Sequence, residues 1–304
     1  MEAREASSGG LAASLPEVGN PGFTERLARG LHTGVDRARK RVRPLAVQLG
    51  RPVASRLVGK PPKRLSAMLR VRNEEEYLEV AAGSIVDLVD ELVIVDNGST
   101  DATPRIIADL VARHPDRVRA FEYPHRLARY GEESVELSRT RAGRRSPAFL
   151  PNFYNWCLAR CTHPYILKWD GDTVATSGFA ATLEQFRRSP AQVLWYTGIN
   201  LHEDREHLIV GRPYEDLEPR LFYRRFARYN HSLGYVETLW SPYMMLYPEF
   251  SEHLAEPQYF HLKFCKKDRF SNISDDLRES ELANSARGQP LSAARRAEVV
   301  ALGL

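Results

Sequence analysis

The sequence predicts an α/β fold with a mostly parallel sheet, followed by a smaller antiparallel part. Strand-like and helix-like segments alternate between residues 65 and 123, which is typical of parallel strands joined by right-handed crossover helices. The strand-like segments are short, apolar and rich in branched residues, as in strands that are buried on both faces. Beyond residue 190 strand-like segments follow one another, which indicates antiparallel pairing.

Each element of this sheet has its own local signal. Apolar runs predict the strands, helical spacing of apolar residues predicts the helices, and Thr103 with Pro104 has the pattern of an N-cap and a first helical residue. The predicted elements are, in order, strand 65–71, helix 74–89, strand 91–95, helix 104–114, strand 117–123, helix 149–161 and strand 164–169, then antiparallel strands at 192–200, 207–212 and 220–226. The polar, arginine-rich stretch 124–148 shows no clear structure and has the length of a functional or mobile connection.

Composition and charge divide the 304 residues into three parts. Hydrophobic residues make up 43% and charged residues 27%, as in a folded globular protein. Residues 1–63 are predicted to be a disordered to partly helical basic arm, 64–270 the folded domain, and 271–304 a weakly ordered tail. Residues 25–64 hold 12 Lys and Arg against two acidic residues, so the positive charge belongs to the arm. An acidic body argues against nucleic acid as a partner.

The basic arm also carries apolar residues at four-residue steps, from Phe23 to Val35. This spacing predicts a short amphipathic helix, and residues 23–60 are a candidate for peripheral contact with an anionic membrane. A solvated, partly helical extension is the alternative. The first ten residues lack the apolar run of a secretory signal, and three cysteines make no disulfide framework, so we expect a cytoplasmic protein or one at the inner face of the membrane.

The segment YILKWDGDT contains the strongest chemical signal. Asp170 and Asp172 follow an apolar strand, and residues two apart in an extended chain share one side. Two carboxylates so placed can hold a hard divalent cation that keeps open positions for phosphate oxygens. Gly171 removes a side chain and would allow a ligand to approach closely. Calcium loops and plain turns use the same three residues.

Two further polar segments follow predicted strand ends. Asp96 ends a buried strand, where a carboxylate can accept from a ribose hydroxyl or a base N–H, and Asn97–Ser99 predict a tight turn. Asp96 can also be a loop-capping residue, and Asp101 can simply cap the next helix.

The first predicted strand ends in LRVRNEE. Arg70 and Arg72 are candidates to meet a diphosphate, and Asn73 and Glu74 to meet a nucleoside. The alternative is a helix start, with Asn73 as N-cap and acidic residues in the first turn.

Taken together, RNE at 72–74, VDNGSTDAT at 95–103 and DGD at 170–172 resemble the glycosyltransferases of family 2, which have the GT-A fold. This resemblance covers residues 64–180 and implies a Rossmann-like nucleotide-binding sheet with an antiparallel acceptor-side part. It implies inverting, hexosyltransferase-type transfer of a sugar from a UDP-, GDP- or dTDP-linked donor. The product would belong to glycan, lipid-glycan or glycoconjugate biosynthesis, and the acceptor is left open.

The resemblance also implies roles for single residues. Arg70, Arg72, Asn73, Glu74 and Asp96 would bind the nucleotide-sugar, as would Asn155 and Asp170. Asp170, Asp172 and His261 are the candidate ligands of Mg²⁺ or Mn²⁺. Asn155 can instead be a helix-surface residue and His261 a structural histidine.

The chemistry needs one carboxylate as general base for the acceptor hydroxyl. EPRLFYRR at 218–225 and the following segment are similar to one branch of the family and align Glu237 with the Glu of that branch, although Val236 stands where the branch has His. Asp216 is the second candidate and Glu215 the third.

Two other functions compete with this interpretation. A nucleotidyltransferase would show a Gly-rich loop after the first strand, where this chain has RNEEEYLEV. A non-catalytic, nucleotide-sugar-binding protein recruited through its basic arm would keep the same binding residues. Nucleotide titration and donor hydrolysis separate it from an enzyme.

Overall fold

The architecture is that of a computed structural model, which describes residues 63–209, 218–231, 237–245, 248–267, 273, 275, 277, 278 and 287–304. Its strands are β1 (Leu65–Val71), β2 (Glu91–Asp96), β3 (Val118–Glu122), β4 (Tyr165–Asp170), β5 (Thr173–Ala175), β6 (Val193–Tyr196), β7 (Gly198–Asn200), β8 (His207–Ile209), β9 (Glu218–Tyr223), β10 (Arg228–His231), β11 (Glu237–Trp240), β12 (Ser251–His253), β13 (Tyr259–His261) and β14 (Arg287–Pro290). Its α-helices are α1 (Leu78–Gly83), α2 (Thr103–Arg113), α3 (Glu132–Arg139), α4 (Leu150–Leu158), α5 (Phe179–Arg188), α6 (Pro242–Met245) and α7 (Ala293–Ala301).

Seven strands form the main sheet in the order β12-β6-β9-β4-β1-β2-β3. β1 pairs in parallel with β2 and β4, and β3 extends the parallel part beside β2. β9 runs antiparallel to both β4 and β6. The predicted α/β class with a mostly parallel sheet is therefore confirmed, and the antiparallel part begins inside the main sheet at β9.

Helices cover both faces of this sheet, and β1 shows the consequence. All seven of its residues are buried. Leu65, Leu69 and Val71 belong to the apolar core that includes residues of α1, α2 and α5. Met68 belongs to the opposite core, which includes residues of α4, β10 and β11. Strands covered on both faces need apolar residues throughout, which explains why β1 and β2 read as continuous apolar runs.

A third apolar cluster joins the end of the chain to the body. Leu291 and Val299 pack with Phe260 and Leu262 beside the small sheet β5-β13-β7. The described part of the predicted weakly ordered tail, 287–304, therefore contains a strand and a helix with buried side chains. The arginine-rich stretch 124–148 likewise contains α3 and a short 3-10 helix at Gly143–Arg145.

Two helix boundaries differ from the prediction for local reasons. α1 ends at Gly83, well before residue 89, and the Ser84 hydroxyl donates to the Ala81 carbonyl (2.8 Å), a side-chain contact that competes with helix continuation. Thr103 is the first residue of α2 and not its N-cap, because its hydroxyl accepts from the Glu74 backbone N–H (2.7 Å). Asp101 accepts from the backbone of Thr103 (2.9 Å), as its capping alternative expected.

Candidate active site

The predicted site residues meet at the carboxyl ends of β1, β2 and β4. Arg70 of β1 pairs in register with Asp170 of β4, and Val71 pairs with Asp96 of β2. Because β2 and β4 flank β1 and strands lie about 4.8 Å apart, Asp96 and Asp170 end strands whose axes are about 10 Å apart. The edge of a parallel sheet beyond its carboxyl ends is where such folds bind ligands.

Asp96 shapes the loop that follows β2. Its Oδ1 accepts from the backbone N–H of Ser99 (3.0 Å) and from the Ser99 hydroxyl (2.6 Å). Gly98 has φ of 71°, a conformation that glycine adopts without a steric penalty, so the predicted tight turn is present.

Asn73 joins this loop to the end of β1. Its Oδ1 accepts from the Thr100 backbone N–H (2.8 Å), and its own N–H donates to the Ser99 hydroxyl (2.9 Å). Asn73 has φ of 53°, a region that Asn tolerates better than most residues. The side chain predicted to meet a nucleoside thus connects two loops of the protein.

Asp170 lies between two buried arginines. Arg70 donates to its Oδ1, and Arg220 Nη1 lies 3.1 Å from its Oδ2. Burial alone would raise the pKa of Asp170, but the two guanidinium groups hold this pKa well below its usual range. Asp170 was predicted as a metal ligand, yet both of its oxygens contact cations of the protein.

The ion pairs continue from Asp170 to the predicted base. Arg220 Nε lies 3.2 Å from Glu218 Oε2, which accepts from Lys168 Nζ (3.1 Å), and Lys168 Nζ lies 3.5 Å from Glu237 Oε1. Three cations thus alternate with three carboxylates. We call this set the arginine network: Arg70, Asp170, Arg220, Glu218, Lys168 and Glu237.

Arg70 keeps unused donors within this network. Its Nε and Nη1 atoms are buried and have no hydrogen-bond partner among the described residues. The guanidinium lies over the ring of Tyr154, with 4.1 Å between Cζ and the ring centroid. Arg72 also has a buried Nε without a partner in the described part of the chain. Buried, unpaired guanidinium donors favour an anionic ligand.

Asn155 supports the arginine network and does not extend toward a ligand. Its Nδ2 donates to the Tyr229 carbonyl (2.7 Å) and its Oδ1 accepts from the Tyr229 N–H (2.9 Å). Tyr229 packs against Tyr154, with 4.8 Å between ring centroids. Both ends of the Asn155 amide thus bind β10, which is a structural contact, and the nucleotide-sugar contact of Asn155 stays a prediction.

Asp172 has different neighbours from Asp170. Its Oδ1 lies 3.5 Å from His261 Nε2, and its Oδ2 lies 2.9 Å from Lys266 Nζ. His261 Nδ1 lies 2.8 Å from Asn200 Oδ1, an atom that can only accept. In the neutral imidazole Nδ1 therefore carries the proton, and the Nε2 lone pair faces the carboxylate.

This pair of facing acceptors fits a cation. A metal-binding histidine usually donates its other ring N–H to a carboxylate or carbonyl, as His261 does to Asn200. Two of the three predicted metal ligands, Asp172 and His261, are thus brought together, while Asp170 is bound to arginines. No group of three or more His, Cys, Asp or Glu with metal-binding geometry occurs in the described part of the chain, so further ligands would come from phosphate oxygens and water.

Glu74 completes this side of the site. Its Oε1 lies 2.7 Å from Lys266 Nζ, so one ammonium contacts two carboxylates. Burial and the Asp172 carboxylate raise the pKa of Glu74, and Lys266 counteracts them. Burial would also raise the pKa of Asp172, but the Lys266 ammonium holds it well below its usual range. We call Glu74, Lys266, Asp172, His261 and Asn200 the lysine cluster.

Gly171 is explained by packing and not by ligand approach. A Cβ at this position would lie 2.8 Å from Glu74 Cγ and 2.9 Å from Val71 Cγ1. The space that the sequence suggested for a ligand is thus filled by the chain itself. The absence of a side chain at Gly171 lets Glu74 lie close to Asp172.

Some candidate residues lie outside the part of the chain that the structure describes. Asp216 and Glu215 lie outside the described residues, as does nearly all of the basic arm.

The sequence analysis missed four charged residues of the site: Lys168, Glu218, Arg220 and Lys266. Lys168 gave a usable signal, a lone charge within the apolar strand YILKWD. Lys266 gave none, because it stands in the ordinary basic run KKDR.

Sequence comparison links this geometry to a family. Residues 66–131, which hold β1–β3 and the Asp96 loop, match the family model described as Glycosyl transferase family 2. No curated protein matches the chain in a sequence search.

No helix of the described residues has the length and apolar character needed to cross a membrane.

Several solved structures show partial similarity to this chain. The S. aureus TarS 1–349 structure is 14% identical, with a TM-score of 0.41 over 66% of this chain and 60% of the TarS 1–349 chain. Mannosyltransferase PcManGT from Pyrobaculum calidifontis, in complex with GDP-Man and Mn²⁺, is 20% identical, with a TM-score of 0.32 over 57% and 47%. Glucosyl-3-phosphoglycerate synthase from Mycobacterium tuberculosis, with Mn²⁺, UDP and phosphoglyceric acid, is 21% identical, with a TM-score of 0.28 over 45% and 43%.

This chain spans less than two thirds of each of those three structures. The RNE and VDNGSTDAT motifs lie within this family match, whereas the DGD segment lies beyond it. The match to Glycosyl transferase family 2 thus covers residues 66–131, which include the Asp96 loop.

Proposed function

We propose that the protein transfers a sugar, with inversion, from a nucleotide-diphosphate-sugar to an acceptor hydroxyl, and that the reaction depends on Mg²⁺ or Mn²⁺. The observation that carries this proposal is the convergence of three features at the ends of β1, β2 and β4. These are the Asp96 loop, the arginine network and the facing acceptors of Asp172 and His261. The family match over the same strands supports the reaction class.

The divalent ion would be held by Asp172 Oδ1 and His261 Nε2. When bound there, it would supply positive charge that offsets the negative charge developing on the leaving diphosphate. Arg70 would add charge-assisted hydrogen bonds to the donor through its unused Nε and Nη1 atoms. Asp170 holds the two guanidinium groups in place and is proposed to contact the donor, and Asp96 is proposed to bind the nucleoside.

Glu237 is the proposed general base. Its side chain is only 11% exposed, and Lys168 lies on one side of its carboxylate. In the proposed step the acceptor oxygen attacks the anomeric carbon, its proton goes to Glu237, and the bond from the sugar to the diphosphate breaks. Attack opposite the leaving group inverts the anomeric centre. Asp216 stays the second candidate for this role.

A screen of UDP-, GDP- and dTDP-sugars for metal-dependent hydrolysis tests the proposal. We expect one donor class to be hydrolysed with Mn²⁺ or Mg²⁺ and to lose this reaction in EDTA. Isothermal titration with UDP, GDP and dTDP gives the matching affinities. Binding without hydrolysis or transfer would favour the non-catalytic alternative. Absence of binding to any nucleotide, with either metal, would contradict both.

The domain boundaries, the cellular location and the membrane contact stay predictions. Boundaries at 64 and 270, a cytoplasmic location or one at the inner face of the membrane, and membrane contact through residues 23–60 follow from the sequence alone. Sedimentation with anionic vesicles, comparing the full chain with a variant whose arginines at 37, 39, 41 and 43 are replaced by Gln, tests the membrane contact.

A further inference from the structure

Lys266 occupies an unusual position in the lysine cluster. Its ammonium lies 2.7 Å from Glu74 Oε1 and 2.9 Å from Asp172 Oδ2, and all three side chains are about nine-tenths buried. One ammonium thus contacts two buried carboxyl groups. A buried charge is costly unless it is paired, so Lys266 stabilises the charge of Asp172, while burial and the Asp172 carboxylate raise the pKa of Glu74.

Two oxygens of these carboxyl groups are not contacted by Lys266. Glu74 Oε2 is buried and has no hydrogen-bond partner among the described residues, and Glu74 is only 7% exposed. Asp172 Oδ1 faces the Nε2 atom of His261. A divalent ion at Asp172 Oδ1 would therefore share this carboxylate with the ammonium, and the two positive charges repel each other.

The backbone just before Lys266 is anchored, and its ammonium is carried on a long side chain. The Leu262 N–H donates to the Asp172 carbonyl (2.8 Å), and the Cys265 N–H donates to the Leu262 carbonyl (2.9 Å). The ammonium sits on a four-carbon stem with rotatable bonds. Lys266 can therefore exchange one anionic partner for another nearby without a movement of the strand that carries His261.

We propose that Lys266 is an exchange ligand that couples metal binding to nucleotide binding. Without nucleotide, its ammonium binds Asp172 and Glu74 and competes with a divalent ion for Asp172. When a nucleoside diphosphate binds, the ammonium moves to the diphosphate oxygens, and Asp172 becomes free for the metal. This inference rests on the proposed function for the identity of the anion.

The exchange has a thermodynamic signature. A nucleotide that removes a competitor of the metal raises metal affinity, and by linkage the metal raises nucleotide affinity by the same factor. Couplings of this kind are typically about 5-fold to 150-fold. Part of this coupling should disappear when Lys266 is removed.

The test uses the full chain and measures binding, not turnover. Free Mn²⁺ is followed by electron paramagnetic resonance, alone and with UDP, GDP and dTDP in turn. The informative variant is Glu74→Gln together with Lys266→Met, because it removes one carboxylate and one ammonium and leaves the formal charge unchanged. It also avoids the two unpaired buried carboxylates that Lys266→Met alone would create.

We expect this double variant to bind Mn²⁺ about tenfold more tightly than the wild type without nucleotide, and to show a smaller coupling factor with nucleotide. Lys267→Met, at the exposed neighbouring lysine, should change neither value. An unchanged coupling factor in a folded double variant would overturn the exchange. Tighter Mn²⁺ binding without any nucleotide binding would support competition at Asp172 but contradict the proposed function.

Discussion

The two aspartates of the DGD segment are two residues apart but lie in different electrostatic environments. Asp170 belongs to the arginine network, where three cations and three carboxylates alternate and the charges balance. Asp172 belongs to the lysine cluster, where one ammonium serves two carboxylates. Both oxygens of Asp170 contact guanidinium groups, whereas Asp172 Oδ1 faces His261 Nε2. These environments suit Asp170 to a positioning role and Asp172 to the proposed metal contact.

The largest expected effect is on kcat and comes from substituting Glu237, at the end of the arginine network. Glu237→Gln should lower kcat for sugar transfer by about 10³-fold, because general-base catalysis typically contributes about 10²-fold to 10⁴-fold. The donor KM should change little, because a glutamine oxygen can still accept from Lys168. Steady-state kinetics on a variant with an unchanged circular dichroism spectrum provide the measurement.

Glu218→Gln is the matched control for this prediction, because Glu218 contacts the same lysine. Its turnover should stay within a few-fold of the wild-type value. If Glu237→Gln keeps near-normal turnover while Asp216→Asn is inactive, the base is Asp216 and the arginine network has no direct part in the proton transfer.

The second effect is on Mn²⁺ affinity, which should respond differently to substitution of Asp170 and of Asp172. Asp172→Asn should weaken Mn²⁺ binding at least tenfold and lower kcat/KM by about 100-fold, because the losses seen on disturbing even the outer partners of a metal site are about 10-fold to 100-fold. Asp170→Asn should leave nucleotide-free Mn²⁺ affinity within about threefold. Mn²⁺ titration of both variants is the measurement, and a larger loss of affinity in Asp170→Asn would reverse their assignments.

The smallest effect concerns acid stability. Despite burial, Arg220 and Lys168 lower the pKa of Glu218 to about 2 from its ordinary value near 4.5. A carboxylate with a lowered folded-state pKa stabilises the protein above pH 4.5, and this stabilisation is lost as the pH falls toward 2. The free energy of unfolding should therefore fall less steeply between pH 4.5 and 2 in Glu218→Gln.

Urea unfolding at several acidic pH values measures this slope. Glu122→Gln, at an exposed position of the edge strand β3, is the control and should follow the wild-type slope. An identical slope in Glu218→Gln and the wild type would mean that the arginine network does not hold Glu218 in its charged form.

Local patterns were sufficient for the elements of the parallel sheet. Strands β1, β2, β3 and β4 lie where apolar runs predicted them, because strands buried on both faces require such runs. The polar residues after these strands meet at one sheet edge, since parallel topology brings carboxyl ends together. Helix ends were less predictable, because hydroxyl groups such as those of Ser84 and Thr103 found partners that spacing does not reveal.

The sequence by itself thus determined the fold class and the meeting of Asp96, Asp170 and Asp172 at one edge. Only the tertiary structure decided which charged partner each carboxylate received. Arg220 comes from an antiparallel strand 50 residues beyond Asp170, and Lys266 comes from a segment beyond His261. Electrostatic energy depends on distance in space and on burial, and neither is encoded in the spacing of residues along the chain.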